Sequence, residues 1–432
     1  MKKDYLLKSE GAMRLYESVA ALPIIDFHNH ISLADIASDK RFSSIHELWV
    51  EKDPYKHRLL RICGIPERLI TGDATPREKF KAFCGAFPYF VGNPVYDWAR
   101  MELSSIFGID ELPGTENADY LYDRCGEMLA SPEFSNNAIL ARFHIEYHSP
   151  VVSLLDDTAD FNGAHLAPSL RGDNLLTPTK ELYDALTAQT GVRITDTSSY
   201  LTAISHRLDV LHTVGCRFAD HALDDGFFEG DANGEKRALL TYLGTEYAKR
   251  GWTLLLHLDA KRKTSTRLAN LCGPVGGYAA VGGRFPISPL CDTLAGMEAS
   301  GGLPDTVLFP LNMADVPPLA VMQGSFAEDG TPSKVQLGPA WWWCDHALGI
   351  ETTLEAISSF GVISQFIGMT TDSRSPLSFV RHDYFRRIVC NWIDTQNTKR
   401  EWDLPLSFQE ELARKICYQN AKDKIQRRNH HA

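Results

Sequence analysis

Short apolar runs recur along this chain. Each is followed by a polar or glycine-rich loop and then by apolar positions at helical spacing. Runs bounded by turn signals read as buried strands, and the spaced positions read as amphipathic helices. The strand candidates are Ile24–Phe27, Ile145–Val152, Leu166–Leu170, Cys216–Ala219, Trp252–His257, Val307–Leu311, Lys334–Leu337 and Phe366–Thr370. Eight strands alternating with helices predict an α/β fold, a (β/α)8 TIM-type barrel closed by parallel pairing. A doubly wound open sheet is the alternative with the same alternation.

One interval breaks the rhythm. Residues from about 35 to 140 carry helical patterns and no strand, far more chain than one crossover helix uses. Within it, Thr75-Pro76-Arg77-Glu78 fits a capping box with proline at the first helical position, and Asn93-Pro94 marks another helix start. The expected organisation is one barrel domain over 1–432, with a helical insertion over about 35–140 after the first strand. A charged helical tail over 405–432 is expected to pack as a solvated helix. Leu7, Met13, Leu15, Tyr16, Val19 and Ala20 predict an amphipathic helix ahead of the first strand.

Composition narrows the function. The 432 residues are 44% hydrophobic and 23% charged, with a net charge of -11. That balance argues against general binding of nucleic acid or anionic membranes, though a site for a small anion needs only local positive charge. The nine cysteines are scattered, odd in number and without a C-x-x-C pair, so reduced and mostly buried thiols are expected. The first residues lack the long apolar core of a secretion signal, and no apolar run reaches membrane-spanning length. A cytoplasmic protein is expected, without nucleic-acid or membrane partners.

The first strand ends in Pro23-Ile24-Ile25-Asp26-Phe27-His28-Asn29-His30. In an extended strand, residues two apart share a face, so His28 and His30 project together at the carboxyl end. Converging imidazoles commonly hold a divalent metal, but a lone His-x-His also arises at ordinary strand ends. Barrel enzymes work at the carboxyl ends of their strands. The polar residues there are Arg171, Asp220 with His221, His257, and Asp372 followed by Ser373 and Arg374. Closure makes the first and eighth strands neighbours. Asp372 then joins His28 and His30 in a three-ligand set with open positions, the count of a catalytic rather than structural zinc site. His257 reads equally as a hydrogen-bonding wall residue, and Asp220 with His221 as a supporting pair or a strand-end cap. The basic stretch from Lys261 to Arg267 is an anion site or a solvated loop. The Trp341-Trp342-Trp343 triplet either packs or walls a pocket.

Ordered segments across the chain then carry a family resemblance. They are DFHNH (26–30), HELWVEKDPYKHRLLR (46–61), GIPERLITGDATPREKF (64–80), GNPVYDWARMEL (92–103), GCRFADHAL (215–223), LHLDAKRKTSTRLANLCGP (256–274), GPAWWWCD (338–345) and TDSRSPLSFVRHDYFRRIVCN (371–391). Together they resemble the uronate isomerase (glucuronate isomerase) family of the amidohydrolase superfamily, from the first helix to roughly residue 395. The resemblance implies the (β/α)8 barrel. It also implies conversion of an aldo-uronate to a keto-uronate, glucuronate to fructuronate and galacturonate to tagaturonate. It assigns the metal site to His28, His30 and Asp372, and substrate binding or proton transfer to Tyr55, Arg171, His257, Arg267, Trp341 and Arg374, with Trp342 beside them. A divalent metal is implied, zinc first and weakly held, and a homo-oligomer is expected. Two segments depart from the family. A Thr-Thr-Asp-Asp-Pro run is replaced around 147–157, where Asp156 and Asp157 offer the acids at altered spacing. An aromatic-Asn-Asp ending is replaced by Trp343-Cys344-Asp345.

The chemistry fits such a set. Moving a proton from C2 to C1 through a cis-enediol needs a carboxylate base, an acid directed at oxygen and a cationic group. Asp372 is the expected base, Tyr55 the oxygen-directed acid, and Arg374 the cation near the oxygens. Arg171 and Arg267 would hold the carboxylate and hydroxyls through bidentate forks. Two rivals remain at this stage. One is a metal-dependent hydrolase acting on a sugar-acid derivative, which calls for a tight metal and a bridging lysine. The other is a sugar-acid binding protein without turnover.

Overall fold

The computed structural model describes residues 2–161, 165–274 and 276–426. Its strands are β1 Ile24–Asn29, β2 Ile145–Ser153, β3 Ser169–Arg171, β4 Phe218–Leu223, β5 Thr253–Leu258, β6 Ala260–Lys261, β7 Ala280–Val281, β8 Asp305–Pro310 and β9 Val335–Leu337. Seven form one curled parallel sheet in the order β1-β2-β3-β4-β5-β8-β9, with helices between successive members except β2 and β3, which no helix separates among the described residues. Every residue of β1 and β5 is buried. Burial on both faces is what a parallel sheet wrapped by helices requires, and it explains the unbroken apolar runs.

The eighth expected strand, Phe366–Thr370, lies between β9 and β1 but forms no regular ladder. Gly368 adopts φ +87, and a Cβ there would come within 2.3 Å of the Ile416 carbonyl oxygen. A left-handed residue breaks the extended geometry that a ladder needs. Side chains take over the seam. The Ile367 N–H donates to Gln336 Oε1 at 3.0 Å, and the His28 N–H donates to Thr370 Oγ1 at 2.9 Å. Backbone pairing resumes one step later, with the Asp372 N–H on the His28 carbonyl at 3.2 Å and the His30 N–H on the Ser373 carbonyl at 2.8 Å. The barrel is thus closed by seven ladder strands and one irregular segment.

β1 is itself irregular. Its register against β2 shifts between Asp26 and Asn29. Asn29 Nδ2 donates to Asp26 Oδ2 at 3.0 Å, although residues three apart in a regular strand face opposite ways. Asp26 turns toward the closing segment, where Thr370 Oγ1 and the Thr371 N–H both donate to its Oδ1 at 2.7 Å. The His28 ring lies 5.0 Å from that of His257 on β5.

Seven α-helices lie between β1 and β2, from Leu33–Ala37 to Asn136–Ala141. Thr75 and Glu78 form the reciprocal capping box, and Asn93 Oδ1 caps the helix Pro94–Glu102. The tail helices Leu406–Arg414 and Asn420–Gln426, joined by the π-turn Lys415–Gln419, lie at the amino-terminal end of the barrel. There Lys424 pairs with Asp305 and Tyr418 donates to Glu146 Oε2. The remainder of the expected tail, 427–432, lies outside the described residues. Among the described residues no helix is long and apolar enough to cross a membrane.

Candidate active site

A cleft of about 640 Å3 opens at the carboxyl ends of the strands. Its walls include His28, His30, Arg171, Asp220, His257, Asp372 and Arg374 from the barrel, and Tyr55 from the helix Pro54–Ile62. Asp53 caps that helix, accepting from the Tyr55 and Lys56 N–H groups, with Pro54 in its first turn; this cap fixes the turn that carries Tyr55 into the cleft wall.

His28 and His30 meet at Asp372. His28 Nε2 lies 3.5 Å and His30 Nε2 3.1 Å from Asp372 Oδ1. Asp372 adopts φ +48, a left-handed conformation that aspartate tolerates better than most residues. Burial pushes the Asp372 carboxyl up, but His28 and His30 together outweigh it and hold it well below the usual carboxylate range. Burial depresses His30 to about 4, leaving it neutral near pH 7.

A second carboxylate stands across the barrel. His257 Nδ1 lies 2.7 Å from Asp220 Oδ1, and the His28 and His257 rings lie 5.0 Å apart. Burial would raise Asp220, but His257, His28 and Arg171 outweigh it and lower it strongly. Among the described residues, two groups could hold a cation: His28, His30 and Asp372, and His28, Asp220 and His257. His28 Nδ1 is buried without a hydrogen-bond partner. A buried imidazole nitrogen left unpaired, on a ring that both sets share, fits a cation-binding corner.

The aromatic wall is ordered by its own contacts. Trp341 Nε1 donates to the Phe309 carbonyl at 2.9 Å, its ring packs 4.5 Å from His257, and Trp342 stacks on Trp343 at 4.8 Å. The Tyr55 hydroxyl lies 3.0 Å from Asp345 Oδ2, and Arg381 pairs with that same oxygen.

Arg267 does not belong to this set. It sits exposed in the first turn of the helix Thr266–Cys272 and is absent from the cleft wall. The loop after β5 folds into the antiparallel pair β6–β7 and delivers Arg262 instead, beside Trp342 and bonded through Nε to Asp224. A run of four cations within seven residues cannot reveal from spacing which one the hairpin turns inward. Asp156 and Asp157 likewise close turns on the surface after β2, accepting from the Ser153 and Ala159 N–H groups, and neither lines the cleft. Arg381 and the Tyr55 partnership of Asp345 carried no local signal, since they depend on packing between distant elements.

The model for glucuronate isomerase matches residues 1–238 and 229–424. A uronate isomerase of Marinomonas sp. is 36% identical over 463 aligned positions, covering 98% of each chain. The solved uronate isomerase of Thermotoga maritima superposes with a TM-score of 0.90 at 25% identity, covering 98% of this chain and 99% of its own. The glucuronate isomerase of Caulobacter crescentus, at 23% identity and a TM-score of 0.87, shares the fold over 99% of this chain and 98% of its own. With its barrel, its histidine–aspartate corner and this full-length likeness, the chain belongs to the glucuronate isomerase family.

Proposed function

We infer that this cleft interconverts aldo- and keto-hexuronates, glucuronate with fructuronate and galacturonate with tagaturonate. The observation that carries the reading is the meeting of His28, His30 and Asp372 in a cleft that also holds Tyr55 and three arginines, in a chain of this family. The arginines suit a substrate with a carboxylate and many hydroxyls.

His28, His30 and Asp372 would hold a divalent cation, zinc first for two imidazoles and a carboxylate, and when bound it supplies positive charge for the substrate's oxygens. Asp372 takes the proton from C2 and returns it to C1. One base serving adjacent carbons works on a single face, which requires the cis-enediol. A carboxylate gripped tightly by a cation is a poor base, so the cation is held weakly or Asp372 turns between its two duties. Tyr55 attends the oxygens, and Arg374 stabilises the negative charge that develops there. Arg171 and Arg262 hold the distal carboxylate and hydroxyls. His257, fixed by Asp220, orients a hydroxyl, and Trp341 with Trp342 excludes water from the reacting carbons. The hydrolase alternative finds no support in the cleft, whose wall contains no lysine among the described residues.

The test incubates the protein in deuterated water with glucuronate and galacturonate separately, with and without chelator, beside a panel of lactones and amides. Deuterium at C1 of a ketose product, suppressed by chelator, is expected. Hydrolysis of the panel without isomerisation of either uronate overturns the reading.

A further inference from the structure

Tyr55 is backed by two buried groups from distant parts of the chain. Its hydroxyl lies 3.0 Å from Asp345 Oδ2, and Arg381 Nη1 lies 3.3 Å from the same oxygen. Asp345 follows the tryptophan triplet, and Arg381 opens the helix Val380–Lys399. The Arg381 guanidinium lies 4.9 Å from the Tyr55 ring centroid and 3.8 Å from that of Trp98. Its Nη1 also reaches the Thr371 carbonyl at 3.4 Å, one residue before Asp372. The phenol, the carboxyl and the backbone leading to Asp372 are therefore tied through one guanidinium.

Asp345 Oδ1 is buried and has no hydrogen-bond partner. A carboxylate with one oxygen unsolvated is poorly stabilised as an anion. Burial pushes the Asp345 carboxyl up to about 7, against Arg381 and Tyr55 and with the help of Asp372; the Tyr384 phenol and the Cys344 thiol are further titratable neighbours. Burial and then Asp345 raise the Tyr55 phenol well above its ordinary range. A phenol this reluctant to ionise gives up its proton only if another group replaces it in the same motion.

Building on the hexuronate reading, we propose that Asp345 is the proton partner of Tyr55, so that the pair gives a proton to one substrate oxygen and takes one from the other, with Arg381 holding the carboxyl in place. The protons balance. In the first half, the C2–H proton goes to Asp372, the C2–H pair forms the C1=C2 bond and the C1=O π pair moves to O1. O1 takes the Tyr55 proton, and the Tyr55 oxygen takes the Asp345 carboxyl proton. In the second half, the O2 proton passes to Tyr55 and that of Tyr55 to Asp345, the O2–H pair forms the ketone C2=O2 bond, and the C1=C2 π pair takes the proton back from Asp372 at C1. The cis-enediol keeps O1 and O2 on one side, within reach of a single phenol. No outside donor or acceptor is needed.

Asp345→Asn preserves shape and an acceptor for the Tyr55 hydroxyl but removes the titrating proton. Its kcat is expected to fall about 100-fold with KM changed less than about threefold, and the pH limb near neutrality to vanish. Asp345→Glu should recover at least about a tenth of the lost kcat, and Tyr55→Phe/Asp345→Asn should be no slower than the slower single variant. Wild-type kcat and pH profile in Asp345→Asn, or losses that multiply in the double variant, overturn the relay. If Asp345→Asn does not fold, the Tyr55→Phe pH profile decides: loss of the neutral limb supports the relay and its persistence overturns it. A wild-type protein inactive on both uronates overturns the hexuronate reading itself; an active one indifferent to Asp345→Asn overturns the relay alone.

Discussion

His30 Nε2 and Asp372 Oδ1 lie 3.1 Å apart, although one residue follows the first strand and the other follows the last barrel segment. The contact exists because the closing segment lies beside β1, with the Asp372 N–H on the His28 carbonyl and the His30 N–H on the Ser373 carbonyl. Asp372→Asn keeps the side-chain shape and removes the base. Turnover is expected to fall by about 10^3-fold or more while the melting temperature and far-UV dichroism stay near wild type. Retention of most activity would refute the assignment of Asp372 as base.

Arg262 and Arg267 separate cleanly, since one lines the cleft and the other faces solvent. Arg262→Ala is expected to raise KM about tenfold or more, the scale of one charge-assisted hydrogen bond, while Arg267→Ala leaves KM unchanged. Steady-state kinetics on both uronates check this, and the opposite ranking would restore Arg267 to the site.

Thr370 supports the seam that the missing ladder leaves open. Its hydroxyl accepts from the His28 N–H at 2.9 Å and donates to Asp26 Oδ1 at 2.7 Å, all buried. Thr370→Val keeps the volume, leaves the His28 N–H without this acceptor and removes one of the donors to Asp26 Oδ1, so urea unfolding should show a loss of about 1–3 kcal/mol. Loss of this anchor for His28 should also weaken retention of an added divalent cation, measured by dialysis and metal analysis.

Asp259 offers a pH test away from the cleft. It is buried at φ +68, and its Oδ2 has no hydrogen-bond partner. Burial, then Asp315 and Asp225, raises its carboxyl to about 7. A carboxyl whose pKa rises on folding binds its proton more tightly in the folded state. Folding is then favoured in acid and loses stability as pH climbs from about 4 to about 7. Asparagine tolerates the same backbone and carries no charge. Asp259→Asn should therefore raise the melting temperature at pH 8 by a few degrees, on the order of 1–2 kcal/mol, and by much less at pH 5. Equal effects at both pH values would contradict it.

Much of this molecule was legible along the chain. Parallel strands are buried on both faces, so β5 and β8 are written as apolar runs, and the capping box at Thr75 and Glu78 is a purely local pattern. The register shift in β1 was not legible, because it answers to Asp26 meeting Asn29 and Thr370. Nor was the irregular eighth segment, whose Gly368 is placed by the close approach of Ile416.

The sequence by itself determined the alternating architecture, the helical insertion and the residue types at the strand ends, since these follow from periodicity and local backbone preference. Tertiary structure alone decided that Arg262 rather than Arg267 enters the cleft, that Asp156 and Asp157 stay at the surface, and that Asp345 and Arg381 stand behind Tyr55. The Tyr55–Asp345 contact joins segments hundreds of positions apart, and the placement of Arg262 depends on the turn of a hairpin. Neither leaves a trace in the spacing of neighbouring residues.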